Sequence, residues 1–245
     1  MHNTICLNCD TVLTGKFCHE CGQKADTHRI TAKHFIMHDL LHGVWHIEKG
    51  ILFTLKEVFT RPGYAALDYI HGRRVKYYNI FYLILMVLGF MFVLSGYTED
   101  GATESIDQVT DANRRIVLEA IDKNIKLVYL LFLPIMAVVG FVLFRKLRFN
   151  FSEHLIIAGF TFLGMLIFAM AGILLDINGN YVLEYVNSGI GIICALFPAV
   201  VYYQVTRKSI SLPGYLWRIV LFYVLIYGIV KCIVKAAILV VSMIA

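Results

Sequence analysis

The sequence predicts an all-α integral membrane protein with a small metal-binding module at its front, and three observations carry that reading. The 245 residues are 59% hydrophobic and 16% charged, with a mean hydropathy of +0.71, whereas a soluble domain is about half apolar and about a quarter charged. Beyond residue 77 the apolar residues gather into runs near the roughly 20 residues that a helix needs to cross a bilayer. Four of the six cysteines fall within the first 21 residues as two Cys-x-x-Cys pairs, a pattern read as one metal site.

Residues 1–27 form the module. Its ligands are spaced Cys6-x2-Cys9-x8-Cys18-x2-Cys21, with Gly22 directly after the second pair. A tight turn within each pair brings two thiolates to one tetrahedral ion, and a glycine relaxes the turn behind them. Four thiolates leave no open coordination position, which marks a structural site. So short a segment has almost no apolar core, so the ion must supply its folding energy. A redox centre needs only one such pair, so Zn2+ is the expected ion. A rubredoxin-like iron site and redox chemistry are the alternatives, and His19 is a flanking residue able to replace one ligand. Cys194 and Cys232 stand alone in apolar runs and read as packing residues. The first thirty residues hold no signal-peptide core, so the N-terminus is expected to remain. The net charge of +5 is spread along the chain rather than gathered into one basic domain, and no nucleic-acid partner is expected.

Residues 28–77 read as an amphipathic surface helix and a juxtamembrane segment. Met37, Leu40, Leu41, Val44, Ile47, Ile51, Leu55 and Val58 recur at helical spacing from about Thr31 to Thr60, as one interfacial helix or two broken near Gly43 or Gly50. Arg61-Pro62-Gly63 should end it. His34, His38, His42 and His46 climb one side at intervals of four. They suit a second metal or pH-sensing site, or simply a stripe facing solvent and headgroups. Glu48 falls inside the apolar stripe, where an unpaired carboxylate is costly, so an ion pair with Arg73 or Arg74 is expected.

Residues 78–245 hold five expected spans, at about 78–97, 127–144, 152–175, 185–206 and 216–240. Arg73, Arg74 and Lys76 precede the first, Arg145, Lys146 and Arg148 follow the second, and Arg207 and Lys208 follow the fourth. The positive-inside rule makes that side cytoplasmic, with the N-terminus inside, the C-terminus outside and the lipid bilayer as one partner. The acidic loop after the first span has a helical patch near 111–126 that extends the second span.

Ionisable residues inside spans are functional candidates. Glu153 and His154 enter the third span as an acid/base pair or as a helix cap with packing. Lys231 and Lys235 lie in the last span, Lys235 snorkelling outward and Lys231 either doing the same or facing a cavity for an anion or lipid headgroup. The lack of mid-depth carboxylates weighs against cation-coupled transport and intramembrane aspartyl proteolysis, and no deep Ser and His pair suits serine proteolysis.

The elements "CLNCDTVLTGKFCHECGQ", "EKGILFTLKEVFTRPG", "GRRVKYYNIFYL" and "FSEHLIIAGF" follow in order along most of the chain. In them the sequence resembles an uncharacterised group of bacterial zinc-ribbon, multi-span inner-membrane proteins, common in Bacteroidetes-type bacteria and classed as a domain of unknown function. The resemblance implies Cys6, Cys9, Cys18 and Cys21 as metal ligands and a bacterial inner-membrane location. Glu48, Arg61, Pro62, Gly63, Gly72, Arg73, Tyr77, Glu153 and His154 match its other recurrent positions. The chain departs from the pattern at Tyr78-Asn79, where a proline is usual, and in lacking a histidine-rich continuation of the third span. The group lends no activity. The expected role is therefore a zinc-based cytoplasmic docking or regulatory element of a membrane complex, with other membrane or cytoplasmic proteins as partners. The alternative is a transporter, channel or lipid handler using Lys231. A membrane enzyme built on Glu153, His154 and the surface histidines has the least support.

Overall fold

In lipid each backbone polar group must be satisfied within its own segment, so long apolar runs fold as helices. The computed structural model, which describes residues 4–27, 29–30, 50–95, 112–123, 125–176 and 181–244, follows that rule. Its helices are α1 (Gly50–Thr60), α2 (Pro62–Ile70), α3 (Ile80–Ser95), α4 (Ala112–Lys123), α5 (Ile125–Leu143), α6 (Phe151–Asp176), α7 (Tyr181–Thr206) and α8 (Leu212–Ile244), with a 3-10 turn at Arg145–Leu147. The extended pairing among the described residues is confined to two isolated antiparallel bridges in the cysteine module.

The hub is α6, which packs against α2, α3, α5 and α7. Ile156, Ile157, Phe160 and Leu163 are fully enclosed there. Of its most apolar stretch 61% is buried, against 33% for α7 and none for α8. The order places α8 at the periphery, where it runs along α4, α5 and α7. Small residues let α6 and α7 approach closely: a methyl group added at Gly164 would collide with the Phe197 ring.

Among the described residues, three helices, Phe151–Leu175, Gly189–Thr206 and Leu212–Met243, are long and apolar enough to cross a membrane. The five expected spans are not all supported by the described residues. Ile80–Leu94 and Leu130–Leu143 are shorter apolar stretches, the latter part of the 19-residue α5. The expected first span began at residue 78, but Asn79 Oδ1 accepts the Phe81 N–H at 3.0 Å and delays the start of α3. The patch near 111–126 forms α4, which packs on α8 and precedes α5.

Residues 31–49 of the expected amphipathic helix lie outside the described residues; α1 ends at Thr60, yet the proline does not stop helicity: Pro62 opens α2. A proline in the first turn has no N–H to leave unpaired and its φ already suits a helix. α2 packs against α6 and α7, with Ala65 and Ala66 fully buried. Gln204 Oε1 of α7 accepts the Gly63 N–H at 2.8 Å.

Candidate metal centre and its seat on the bundle

Each cysteine pair sits in a miniature hairpin, and the two halves repeat one pattern. In the first, Cys6 N–H donates to Thr11 O at 2.8 Å and Asp10 N–H to Cys6 O at 3.0 Å. In the second, Cys18 N–H donates to Gln23 O at 2.8 Å and Gly22 N–H to Cys18 O at 2.9 Å. The residue after each second cysteine is left-handed, Asp10 at φ +60° and Gly22 at φ +74°. Asp and Gly are residues that tolerate this conformation.

The repeat converges four sulfurs. Cys6 and Cys21 Sγ are 3.5 Å apart, as are Cys9 and Cys18 Sγ, and all four lie within 4.8 Å of one another. Tetrahedral thiolate sites with metal–sulfur bonds of about 2.3 Å place their sulfurs about 3.8 Å apart, so the four residues fit a metal ion. The ligands differ in proton affinity. Burial pushes the Cys6 thiol up to about 11. The side chain and backbone of Thr11 pull Cys9 down to about 6. Binding at neutral pH must therefore displace the Cys6 proton, and acid must oppose binding. Zinc titration of the reduced protein in weak buffer at pH 7.5 should release protons, and affinity should fall on going to pH 5.5. An affinity that does not change with pH would exclude thiolate ligation.

The module is seated on the bundle end where α6 begins. Gln23 Oε1 accepts the Arg74 N–H at 3.3 Å. Gly72, at φ +96°, lies so close under Leu7 that an added Cβ would stand 2.7 Å from Leu7 Cδ1. The main tether is Arg29: its Nε and Nη2 each lie 2.7 Å from the two carboxylate oxygens of Glu153, and Nη2 also donates to Arg148 O at 2.9 Å. Glu153 is 2% exposed and raises the pKa of Arg29 by accepting its hydrogen bonds. Asn150 and Glu153 also form a reciprocal cap at the start of α6. Glu153 Oε2 accepts the Asn150 N–H at 2.7 Å, and Asn150 Oδ1 accepts the Glu153 N–H at 2.9 Å. Asn150 Nδ2 donates to Ile30 O at 2.8 Å, adding a second tie to the module's trailing segment.

A further polar cluster joins α1 and α2. Arg61 pairs with Glu57 and, at 3.1 Å, with Asp68. Tyr77 donates towards Glu57 at 3.4 Å and Asp68 at 3.3 Å, and burial raises its pKa, which keeps the phenol a donor. Arg73 lies 3.5 Å from Asp68, while Arg74 donates to Tyr69 O and covers the Tyr69 ring. The partners expected for Glu48 thus have other contacts, and Glu48 itself lies outside the described residues. Glu57 was the missed carboxylate. Its spacing of four from Arg61 on an otherwise apolar helix was the available signal.

Glu153 and His154 part ways. His154 is fully buried in an aromatic slot, its ring 5.7 Å from Phe141 and 6.1 Å from Phe149, and neither ring nitrogen has a hydrogen-bond partner among the described residues. The buried Tyr202 hydroxyl is likewise unpartnered. Both border Gly140, where an added Cβ would meet that hydroxyl and stand 3.4 Å from His154 Nδ1. Lys231 and Lys235 are exposed on α8, with Lys231 Nζ 5.3 Å from the Tyr227 ring centre. His34, His38, His42 and His46 fall outside the described residues.

Fold and site define a helical protein with, among the described residues, three helices able to cross a membrane and a four-cysteine cluster able to hold a metal ion. Residues 48–92 match the family described as Protein of unknown function (DUF3667). The match takes in α1, α2, the Glu57–Arg61–Asp68–Tyr77 cluster and most of α3, and begins after the cysteine module. No curated protein and no solved structure matches the chain.

Proposed function

We propose that the four cysteines hold a structural Zn2+ and that the module is a docking or regulatory element on the cytoplasmic end of a membrane-embedded bundle, in a bacterial inner membrane. The observation that carries this reading is the bidentate contact of Arg29 with the buried Glu153. It couples the fold of a metal-stapled module to the first turn of the helix at the centre of the bundle. Metal state and bundle state then depend on each other. The basic clusters support the orientation: Arg74 and Arg148 both contact the module side, and Arg207 lies 5.9 Å from the Tyr64 ring of α2. The placement of Lys231 on an exposed face beside Tyr227 suits snorkelling, so the transport alternative gains no interior cation from it.

The coupling is tested by Arg29→Ala in the full chain. A buried carboxylate that loses its partner costs about 1–3 kcal/mol, so amide exchange should quicken several-fold in 23–30 and in the first turn of α6, with zinc content kept. Exchange unchanged in both segments would remove the coupling. For docking, proteins captured with the wild-type chain from native membranes should be lost with Arg29→Ala, and full retention would make the docking role wrong.

A further inference from the structure

Between the module and the bundle lies a cleft of about 440 Å³, lined by Leu7, Arg29, His71, Leu147, Arg148 and Phe149 among others. Its charge is unbalanced. Glu153, the acidic residue in the lining, has both oxygens engaged by Arg29 and by the Asn150 N–H. Arg148 and His71 are exposed, and the Arg148 guanidinium makes no bond among the described residues. Arg29 keeps its Nη1 free of the carboxylate, with 58% of its side chain exposed. Beside these cations stand the apolar side chains of Leu7, Ile70, Leu147 and Phe149.

We propose that this cleft binds the phosphate headgroup of an anionic phospholipid. Guanidiniums suit phosphate because they offer paired donors in one plane. A soluble anion gives no use to the apolar side of the cleft, whereas a glycerophospholipid brings apolar carbon next to its phosphate. Position agrees with that choice. The cleft opens where α5 has ended and α6 begins, the polar end of a helix able to cross a membrane, and basic pockets at that depth meet anionic headgroups. Bound there, the lipid would touch the module through Leu7 and Arg29 and the bundle through Leu147 and Phe149. This goes beyond the docking role and holds whatever the module recruits.

The test uses the full chain in neutral detergent, titrated with dioleoylphosphatidylglycerol or dioleoylphosphatidylcholine and read by native mass spectrometry. The anionic lipid should bind at least about fivefold more tightly, and Arg148→Gln should bring it to the level of the neutral one. His71→Gln should weaken it less and serves as the second variant should Arg148→Gln not fold. Lys208→Gln, a basic-rim change outside the cleft, should leave the preference intact. Inorganic phosphate at millimolar concentration should not displace the lipid. Equal binding of the two lipids, a preference that survives Arg148→Gln, equal loss with Lys208→Gln, or displacement by inorganic phosphate would each overturn the assignment.

Discussion

Cys18→Ser should abolish metal binding and unfold the N-terminal module while leaving the helical bundle intact. A serine hydroxyl remains protonated at neutral pH and cannot replace a thiolate, and Cys18 is buried with its sulfur 3.5 Å from that of Cys9. The module's own apolar contribution is small: Val12 and Phe17 are exposed, and besides the cysteines only Ala25 and Ile30 are buried hydrophobic residues among the described ones up to residue 30. Structural zinc supplies roughly 10–16 kcal/mol to peptides of this kind, far more than such a core offers. Metal content after size exclusion should fall from about one zinc per chain to near zero, and amides such as Cys6, Cys18 and Gly22 should exchange freely. Helicity of the bundle should persist, since α6 and its neighbours bury their own residues. Retained stoichiometric zinc would show that another residue completes the site, with His19 the first to test.

Gly63→Ala should destabilise the bundle. The new Cβ would stand 2.5 Å from Val201 O and 2.6 Å from Gln204 Cβ, and carbon cannot approach either so closely. Val201 belongs to the interior of α7, so α2 must lift instead, lengthening the 2.8 Å bond from Gly63 N–H to Gln204 Oε1. Overpacking costs about 1–3 kcal/mol and the hydrogen bond about 1 kcal/mol, while alanine's helix propensity returns up to about 1 kcal/mol. The net loss should lower the melting temperature in detergent by roughly 3–10 °C. An unchanged or higher melting temperature would mean that α2 does not press on α7 in this way.

Much of this was legible in local chemistry. Two Cys-x-x-Cys pairs name a metal site because each ligand pair is made by one turn, and the structure brings all four sulfurs together. For Glu153 the sequence left an acid/base role and a helix cap both open, the cap resting on its place at a helix start; the structure adds its reciprocal bonds with Asn150. The misses were matters of distance along the chain or of backbone direction. Arg29 and Glu153 are 124 positions apart, and no periodicity links them. Five spans were expected, and three helices qualify among the described residues.

By itself the sequence determined the membrane character, the helical class and the four-cysteine cluster, each set by composition or by spacing within a few residues. Only the tertiary structure decided that α2 wedges into the bundle, that Asp68 meets Arg73, and that the module is clamped by Arg29 to the hub helix. The physical reason is common to all three. A buried charge or a close backbone approach takes its partner from whichever element packing brings near, and packing is settled by the whole chain.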